Sequence, residues 1–412
     1  MTKPPRLQAR EKRHVDTCCP VVNCARAMGM VAVMSGRLHR GGLDGRASVA
    51  MIGTRGLPAQ HGGFETCVDE VATRMVTDGR KVTVYCLQNR HLREYRGVRR
   101  VYVPSIRSKS LETLSGGILA VTHACLVGRP TICILFNSAL APLIPILHVF
   151  RILVVCHPDG LEWRRSKWPR AIRFAYAKLE RMAITHADGV IADAVALQRY
   201  YTRRYGVDSE YIAYGANEPS SRHMADEDRN LTDGRPYHLV VARFEPENHV
   251  REIVAGFTAS HCPDLLVLVG SSHLSSGYEA SVKAAADGDS RVIFLGPVYD
   301  QGRLDALYAN AIVYWHGHSV GGTNPSLLRA VRAGTYVMAH ENEFNREVLG
   351  DLGGYFEGGS SIPSLIAEEQ WLSRGLSPED VERGRLRFEA TYNWDRVAAS
   401  YGRLIDRIVN LR

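Results

Sequence analysis

The sequence predicts an α/β protein built from two doubly wound domains that face each other across a cleft. Short apolar segments alternate with segments whose apolar residues recur at helical spacing, which is typical of parallel βαβ units. This alternation occurs in two series, separated by a polar stretch at residues 217–236 that contains Pro and Gly. Two such series indicate two Rossmann-like domains, and 412 residues suffice for two cores.

The first series gives the first domain, residues 47–216. Its strands are predicted in "ASVAMIG", "KVTVYC", near Val101, at 131–135, at 152–156, in "GVIA" and in a segment ending at "YIAYGAN". Its helices are predicted in "GFETCVDEVATRMVTDG", at 111–126, at 167–187 and up to Tyr205. Residues 217–236 are interpreted as a linker.

The second series gives the second domain, residues 237–392. Its strands are predicted in "YHLVVAR" and at 265–269, 292–295, 312–315 and 336–339. The last helical pattern, at residues 393–412, is assigned to the first domain and would complete it.

Residues 131–150 carry no charge and resemble a membrane span. Asn137, Pro142, Pro145 and the strand pattern "RILVVC" favour a strand, a turn and a Pro-containing helix instead. A true span and a helix that touches a membrane surface are the alternatives.

The net charge of +8 belongs mostly to the N-terminal extension. Residues 1–46 carry nine Lys/Arg against three Asp/Glu, so only +2 remains for the rest of the chain. A nucleic-acid partner is therefore not indicated. We predict a disordered basic tail, with translation from upstream of the natural start as a second interpretation.

Cysteine spacing argues against a disulfide framework and against a metal site. None of the nine cysteines forms a C-x-x-C pair or a Cys/His ligand box. Single buried thiols of a reducing cytosol are expected.

A candidate anion site stands where "VGGTNPSLLRAVRAG" begins a helix. Pro325 suits a first helical turn, Asn324 or Thr323 can cap it, and Gly334 stops it, so the helix is predicted at 325–333. Gly321 and Gly322 would let an anion approach the helix dipole. A capped helix without a ligand is the alternative.

The first domain repeats this arrangement at Gly62 and Gly63, which precede its first helix. The loop is neither a G-x-G-x-x-G fingerprint nor a P-loop, so dinucleotide and ATP binding are not indicated. Two glycine-lined helix starts suggest a phosphate-bearing ligand in the cleft. Arg243, directly after "YHLVVA", could donate a bidentate fork to phosphate, or it could be an exposed loop arginine.

At this point five segments resemble one enzyme family. They are "MIGTRGLPAQHGGFETCVDEVATRM", "DGLEWRRSKW", "ARFEPEN", "GGTNPSLLRAVRAG" and "FNREVLG". They look like the retaining GT-B glycosyltransferases of family 4, and more narrowly like the bacterial rhamnosyltransferase-like branch with a DUF1972-type N-terminal domain. The resemblance covers about residue 48 to the end.

The resemblance implies a nucleotide-sugar donor, bound as a substrate by the second domain, and an acceptor bound mainly by the first. Asp159, at the end of a strand, would orient the acceptor hydroxyl or the donor sugar, although an Asx turn is the alternative. Arg243 would neutralise the pyrophosphate. Sugar and phosphate would be lined by Ser319, Gly321, Gly322, Thr323 and Asn324. The acceptor side and the phosphate border would be formed by Thr54, Arg55, Gly62, Gly63, Glu162 and Tyr214.

Two residues depart from the wider family. Asn248 stands where many members carry a lysine. The rhamnosyltransferase-like branch commonly has asparagine at this position, in the segment "EPEN". Arg329 stands where a glutamate accepts hydrogen bonds from the ribose hydroxyls, and a guanidinium can only donate. Losing such a contact would weaken donor binding by roughly ten- to hundredfold. Arg332 would make this corner more basic still.

The resemblance also implies the mechanism. Retention at one face of the sugar, with the leaving phosphate oxygen taking the acceptor's proton, requires no protein nucleophile. The protein would stabilise charge on the leaving nucleoside diphosphate, and the domains would close over it. No metal site and no further cofactor are expected.

Two basic stretches, at residues 90–109 and 163–181, favour a membrane-surface partner. The second interleaves Trp163 and Trp168 with basic residues, which suits anionic headgroups or a polyprenyl-linked saccharide acceptor. A solvated charged face is the alternative. The expected protein is a cytoplasmic transferase, peripheral on the inner face of the plasma membrane, that acts in cell-surface polysaccharide synthesis. L-rhamnose from dTDP-rhamnose is the first guess for the sugar, and an impaired GT-B scaffold is the alternative because of Arg329.

Overall fold

A computed structural model describes residues 46–59, 62–106, 112–165, 168–272, 276–367 and 377–412. The predicted tail lies outside these ranges apart from Arg46. Within them the chain forms two largely parallel sheets flanked by helices. The predicted α/β class with two doubly wound halves is confirmed.

The first sheet has eight strands in the order β3-β4-β2-β1-β5-β6-β7-β8. Only β3 is antiparallel to its neighbour, and the order reverses at β1, which lies between β2 and β5. The central strands β5 and β6 are buried at every position because helices cover both faces. The strands are β1 Val49–Ile52, β2 Val82–Cys86, β3 Glu94–Tyr95, β4 Val98–Tyr102, β5 Ile132–Phe136, β6 Leu153–His157, β7 Gly189–Ala192 and β8 Glu210–Tyr211.

The helices of this half follow the predicted pattern. They are α1 Gly63–Thr77, α2 Glu112–His123, α3 Ile144–Val149, α4 Arg170–His186 and α5 Val195–Tyr205. The uncharged interval 131–150 forms β5, a 3₁₀ segment at Ser138–Leu143 and α3, as expected. No described helix combines the length and the hydropathy that a membrane span needs.

The second sheet has six parallel strands in the order β11-β10-β9-β12-β13-β14, so its order reverses between β9 and β12. The strands are β9 Tyr237–Val241, β10 Leu265–Val269, β11 Val292–Gly296, β12 Val313–His316, β13 Tyr336–His340 and β14 Gly354–Phe356. The helices of this half are α7 Val250–Thr258, α8 Ser276–Ala286, α9 Gln301–Asn310, α10 Pro325–Ala333, α11 Glu343–Leu349, α12 Ile362–Ala367 and α13 Pro378–Thr391.

The segment at residues 217–236, predicted to be an aperiodic linker, contains the helix α6 at Asp226–Thr232. Its first turn holds three acidic residues, which favour a helix N-terminus. Asp228 is buried and pairs with Arg303 of α9 at 2.5 Å, which ties α6 to the second half. The acidic turn was the available signal, but the segment lacks an apolar period.

The last helix, α14 Trp394–Asn410, packs against α1 of the first half. Asn393 caps it by accepting from the N–H of Asp395 at 2.8 Å. Its apolar side joins the core beside α1, and Arg80 pairs with Asp406 at 2.6 Å. The chain therefore returns to the first half after building the second.

Candidate active site

The predicted helix start in the second half is observed as predicted. α10 begins at Pro325, and the Asn324 side chain accepts from the N–H of Ser326 at 2.9 Å. The helix ends at Ala333 before Gly334, whose φ of 81° continues the chain in the left-handed region. The loop after β12 thus places the N-terminus of α10, the positive end of its dipole, at the carboxyl edge of the sheet.

The two glycine-lined helix starts meet across the cleft. α1 begins at Gly63, directly after Gly62. A Cβ on Gly63 would lie 3.3 Å from Cγ of Pro325, the first residue of α10. Both helix dipoles therefore point their positive ends toward the same region, between the two points where the strand order reverses.

The loop after β6 touches the loop before α10. Gly160 has a φ of 52°, and a Cβ there would lie 2.9 Å from Cα of Gly321. Asp159, which precedes it, has a half-exposed carboxylate at this junction. Only glycine allows the two loops to approach this closely.

Asp193, which the sequence analysis did not identify, lies between the two halves directly after β7. It is buried, and its Oδ1 has no hydrogen-bond partner. A Cβ on Gly322 would lie 1.8 Å from this oxygen, and the Thr323 hydroxyl donates to the Asp193 carbonyl. Burial raises the pKa of Asp193 well above its ordinary value, and the charges of Asp159 and Glu347 act in the same direction.

Asp193→Asn is expected to stabilise the protein increasingly as pH rises. The folded state holds the Asp193 proton to a higher pH than the unfolded chain, so the wild type loses stability above the ordinary pKa of 3.8, by up to about 1.4 kcal/mol per pH unit. Asparagine cannot ionise, so the free energies of unfolding of the variant and the wild type should converge at about pH 3, where Asp193 is protonated in both states. Urea unfolding across pH measures this, with the exposed Asp208→Asn as control. A constant difference between variant and wild type at all pH values would contradict it.

Arg165, also missed from sequence, is a buried guanidinium at the same junction. Its Nε lies 2.6 Å from Oε1 of Glu162, and its Nη2 lies 3.7 Å from Oδ1 of Asp159. Burial lowers the pKa of Arg165, but these carboxylates, together with Glu247 and Glu245 of the second half, raise it above its ordinary value. Arg165 is therefore the counter-ion of carboxylates from both halves.

Glu162 was predicted on the acceptor side, and its carboxylate forms an ion pair with Arg165. It also accepts from the Trp168 indole N–H at 2.8 Å, and it is buried. Its carboxylate therefore orients Arg165 and Trp168 within the first half.

Arg243, Asn248 and His318 form a hydrogen-bonded corner at the edge of the second sheet. The Asn248 amide N–H donates to the Arg243 carbonyl at 2.7 Å, so its Oδ1 faces Nδ1 of His318 at 2.8 Å. Nδ1 of His318 must then carry the proton, which leaves Nε2 as a hydrogen-bond acceptor beside Gly321.

Burial, helped by nearby positive charges, keeps the His318 ring neutral. Burial lowers its pKa well below the ordinary value, and His316, Arg165 and Arg243 add to this, while a contact with the backbone of Val320 opposes it. The Arg243 side chain is 54% exposed, and its guanidinium lies 3.7 Å from Glu245. The corner can thus offer a guanidinium to an anion and an imidazole lone pair to a hydroxyl group.

Ser319 joins two loops of the second half. Its N–H and its hydroxyl both donate to the Glu247 carbonyl, at 2.9 and 3.0 Å, and its Oγ lies 3.1 Å from Nε2 of His249. Ser319 therefore fixes the loop after β12 to the loop after β9.

Of the remaining first-half candidates, Tyr214 packs against a buried histidine, His157, that sequence reasoning missed. Tyr214 is buried and stacks on His157, with ring centroids 5.9 Å apart. Nδ1 of His157 lies 2.7 Å from the Tyr401 hydroxyl, and burial lowers its pKa to about 3. Thr54 is buried after β1, and Arg55 pairs with Glu112 at 3.4 Å. His157 ends β6 as Asp193 follows β7, and their position after buried strands was the available signal.

Arg329 has partners within the protein. Its Nε lies 2.9 Å from Oδ1 of the buried Asp305, and its Nη2 donates to Gln301 at 2.6 Å. Arg332 pairs with Glu218 at 2.7 Å and with Glu389 at 2.5 Å. The expectation of an excess of positive charge at this corner was therefore wrong, because three carboxylates neutralise the two arginines.

Glu347, within the segment "FNREVLG", caps a helix of the opposite half. Its carboxylate accepts from the N–H of Val195 at 2.9 Å and from the N–H of Ala196 at 3.3 Å, at the start of α5. A charged cap at a helix N-terminus is favourable, so this contact holds the two halves together.

Among the described residues, His238, Cys262 and Asp264 stand close enough together to hold a metal ion. The Trp315 indole donates to Nδ1 of His238 at 2.9 Å, so Nε2 carries the proton and faces Asp264 at 3.6 Å. Neither ring nitrogen then offers a lone pair to a metal, and this group does not fit one.

The chain is similar to one family model and to several solved structures. A family model described as a domain of unknown function, DUF1972, matches residues 46–217. No curated protein sequence matches the chain. Among solved structures, sucrose-phosphate synthase from Thermosynechococcus elongatus has a TM-score of 0.73 at 20% identity, over 89% of this chain and 100% of that one.

Two further structures carry nucleotides. HepE from Anabaena, in complex with UDP-glucose, has a TM-score of 0.68 at 13% identity, and the catalytic domain of starch synthase IV from Arabidopsis thaliana, bound to ADP and acarbose, has one of 0.67 at 12% identity. Each match covers 89% of this chain and 100% of the other. The chain has the GT-B fold. The contacts of Gly160, Asp193, Arg165 and Glu347 therefore lie in a GT-B cleft.

Proposed function

We propose that this protein is a retaining glycosyltransferase that moves a sugar from a nucleotide-sugar donor to a lipid-linked or polysaccharide acceptor. One observation carries the proposal: the starts of α1 and α10 meet at the carboxyl edges of the two sheets, and Arg243 follows β9 at the edge of the second sheet. Helix N-termini and a guanidinium are suited to a diphosphate. The likeness to HepE and starch synthase supports it, since both were solved with nucleotides.

The proposed reaction replaces the bond between the sugar and the leaving phosphate by a bond to the acceptor oxygen on the same face. The acceptor's proton passes to the leaving phosphate oxygen, so no protein nucleophile is used. Arg243 and the positive end of the α10 dipole would stabilise the charge on the departing nucleoside diphosphate. Nε2 of His318 would accept a hydrogen bond from a hydroxyl group of the sugar. Asp159 would orient the acceptor substrate. The surface partner is proposed to be the cytoplasmic membrane.

The environment of Arg329 favours a deoxyribose donor, such as dTDP-L-rhamnose. The resemblance places Arg329 at the ribose, where a carboxylate would accept from both hydroxyls of a diol. A 2′-deoxyribose has one hydroxyl, so less is lost when a guanidinium stands there. Because Asp305 and Gln301 hold Arg329, the substitution is integrated into the packing, which weighs against an impaired scaffold.

Calorimetry with dTDP-, UDP- and GDP-sugars tests this proposal. We expect the wild type to bind a dTDP-sugar with a micromolar Kd, and Arg329→Glu to weaken binding about tenfold, since the new carboxylate would face Asp305. Arg329→Gln removes the charge without this repulsion and is the matched control. If no donor binds until glutamate is restored, the scaffold alternative holds instead.

A further inference from the structure

The helices on one side of the first sheet expose apolar side chains that nothing in the described chain covers. The inner sides of α2, the 3₁₀ segment, α3 and α4 share one core against the sheet. Their outer sides would normally be polar in a water-facing helix. A π-helical turn at Ala124–Gly128 extends α2. The exposed apolar residues of these helices, of this turn and of the end of α3, which we name the apolar face, are Ile118, Leu119, Leu126, Val127, Ile146, Val149, Phe150 and Phe174.

The exposure of the apolar face is extreme at its outermost positions. Val149 is 80% exposed, Phe174 63% and Val127 60%. Among the described exposed large hydrophobic residues, more than half belong to the apolar face. Scattered exposed apolar residues are ordinary, but a concentration on neighbouring helices marks an interaction site.

The residues around the apolar face are mainly basic, which favours a negatively charged partner. Residues 113–158 contain no Asp or Glu, and the one carboxylate of α4, Glu180, is buried. Basic side chains border the apolar residues, and the ammonium of Lys178 lies 4.6 Å from the exposed Phe174 ring. The basic residues of the same segments, on α4 and shortly after Val127 and Phe150, are Arg129, Arg151, Arg170, Arg173, Lys178 and Arg181.

The tryptophans of the basic stretch do not provide this surface. The Trp168 indole donates to Glu162, and the guanidinium groups of Arg164 and Arg204 lie 5.2 and 5.7 Å from the Trp163 ring, so both side chains have partners within the first half. The apolar contact therefore comes from the helices.

We propose that the apolar face docks on an anionic lipid membrane. Apolar side chains with Arg and Lys nearby, and with no Asp or Glu in residues 113–158 and no exposed one on α4, match the boundary between acyl chains and negative headgroups. α4 starts shortly after the loop that carries Asp159 and Arg165, so docking would bring the cleft near the membrane surface. The inference deepens the proposed function, on which it rests only for the lipid-linked acceptor.

Vesicle flotation tests the docking surface without turnover. The full chain is mixed with vesicles of phosphatidylcholine and phosphatidylglycerol, or of phosphatidylcholine alone, at low and high salt. We expect binding to the anionic vesicles that weakens with salt. Val149→Asp and Phe174→Asp, on different helices, should each lower the partition coefficient at least tenfold, and Lys178→Glu at least about fivefold.

Matched variants and a second measurement make the result decisive. Leu386→Asp on α13 and Arg396→Glu on α14 change exposed residues elsewhere and should bind vesicles as the wild type does. Absence of wild-type binding to the anionic vesicles, or binding by both apolar variants that equals wild-type binding, overturns the proposal. Light scattering that shows a wild-type dimer and a Val149→Asp monomer also overturns it, because the face would then join two copies. Donor calorimetry on the same variants tests the proposed function separately.

Discussion

Arg243→Ala is expected to lower the rate of sugar transfer by about 10²–10³-fold, the effect of removing one preorganised group that stabilises developing charge. Arg243 follows β9 at the edge where α1 and α10 converge, and its 54% exposed side chain can reach a ligand. The loss should fall mainly on kcat if the guanidinium acts on the departing diphosphate. Steady-state kinetics with a dTDP-sugar donor measure it.

Two further variants show whether the loss is specific to the Arg243 guanidinium. Arg243→Lys keeps the charge but loses the planar fork, so it should recover part of the rate. Arg251→Ala removes an exposed arginine of α7 in the same half and should leave transfer unchanged. If Arg243→Ala transfers sugar within twofold of the wild type, Arg243 does not hold the diphosphate.

Arg165→Met is expected to destabilise the folded protein by about 3–5 kcal/mol, because it leaves buried carboxylates without their counter-ion. The guanidinium lies 2.6 Å from Glu162, and Asp159, Glu245 and Glu247 add to the negative charge around it. Urea unfolding at neutral pH measures the change. Arg164→Met, at the exposed neighbouring position, is the control and should shift stability by less than about 1 kcal/mol.

Urea unfolding at lower pH would show whether unpaired carboxylates cause this loss of stability. Protonating the carboxylates removes the charge that Arg165 compensates, so the difference between Arg165→Met and wild type should shrink as pH falls. A variant as stable as the wild type at neutral pH would show that water already compensates these carboxylates.

The parts of the site that depend on local chain chemistry could be predicted from sequence. Pro325, Asn324 and Gly334 act within one helix, so the bounds of α10 followed from capping alone. The two series of strands likewise gave both sheets, because buried parallel strands are continuous apolar runs.

The contacts between halves could not be predicted, because they join segments far apart in the chain. Glu347 caps a helix that begins at Val195, and Asp193 touches Gly322. Nothing near Arg332 in the sequence indicates Glu218 or Glu389 as its partners. Such pairings depend on how the two halves are placed, which spacing within a segment does not encode.

The position of α14 has a consequence for synthesis on the ribosome. α1 and β1–β8 are made early, but the helix that covers α1 is encoded after the whole second half. At about 5–20 residues per second, roughly 10–40 s separate β8 from α14. During that interval the apolar side of α1 stays available to chaperones and to wrong partners. A premature stop codon just before Trp394 would therefore leave the first-made half uncovered while the second half is complete.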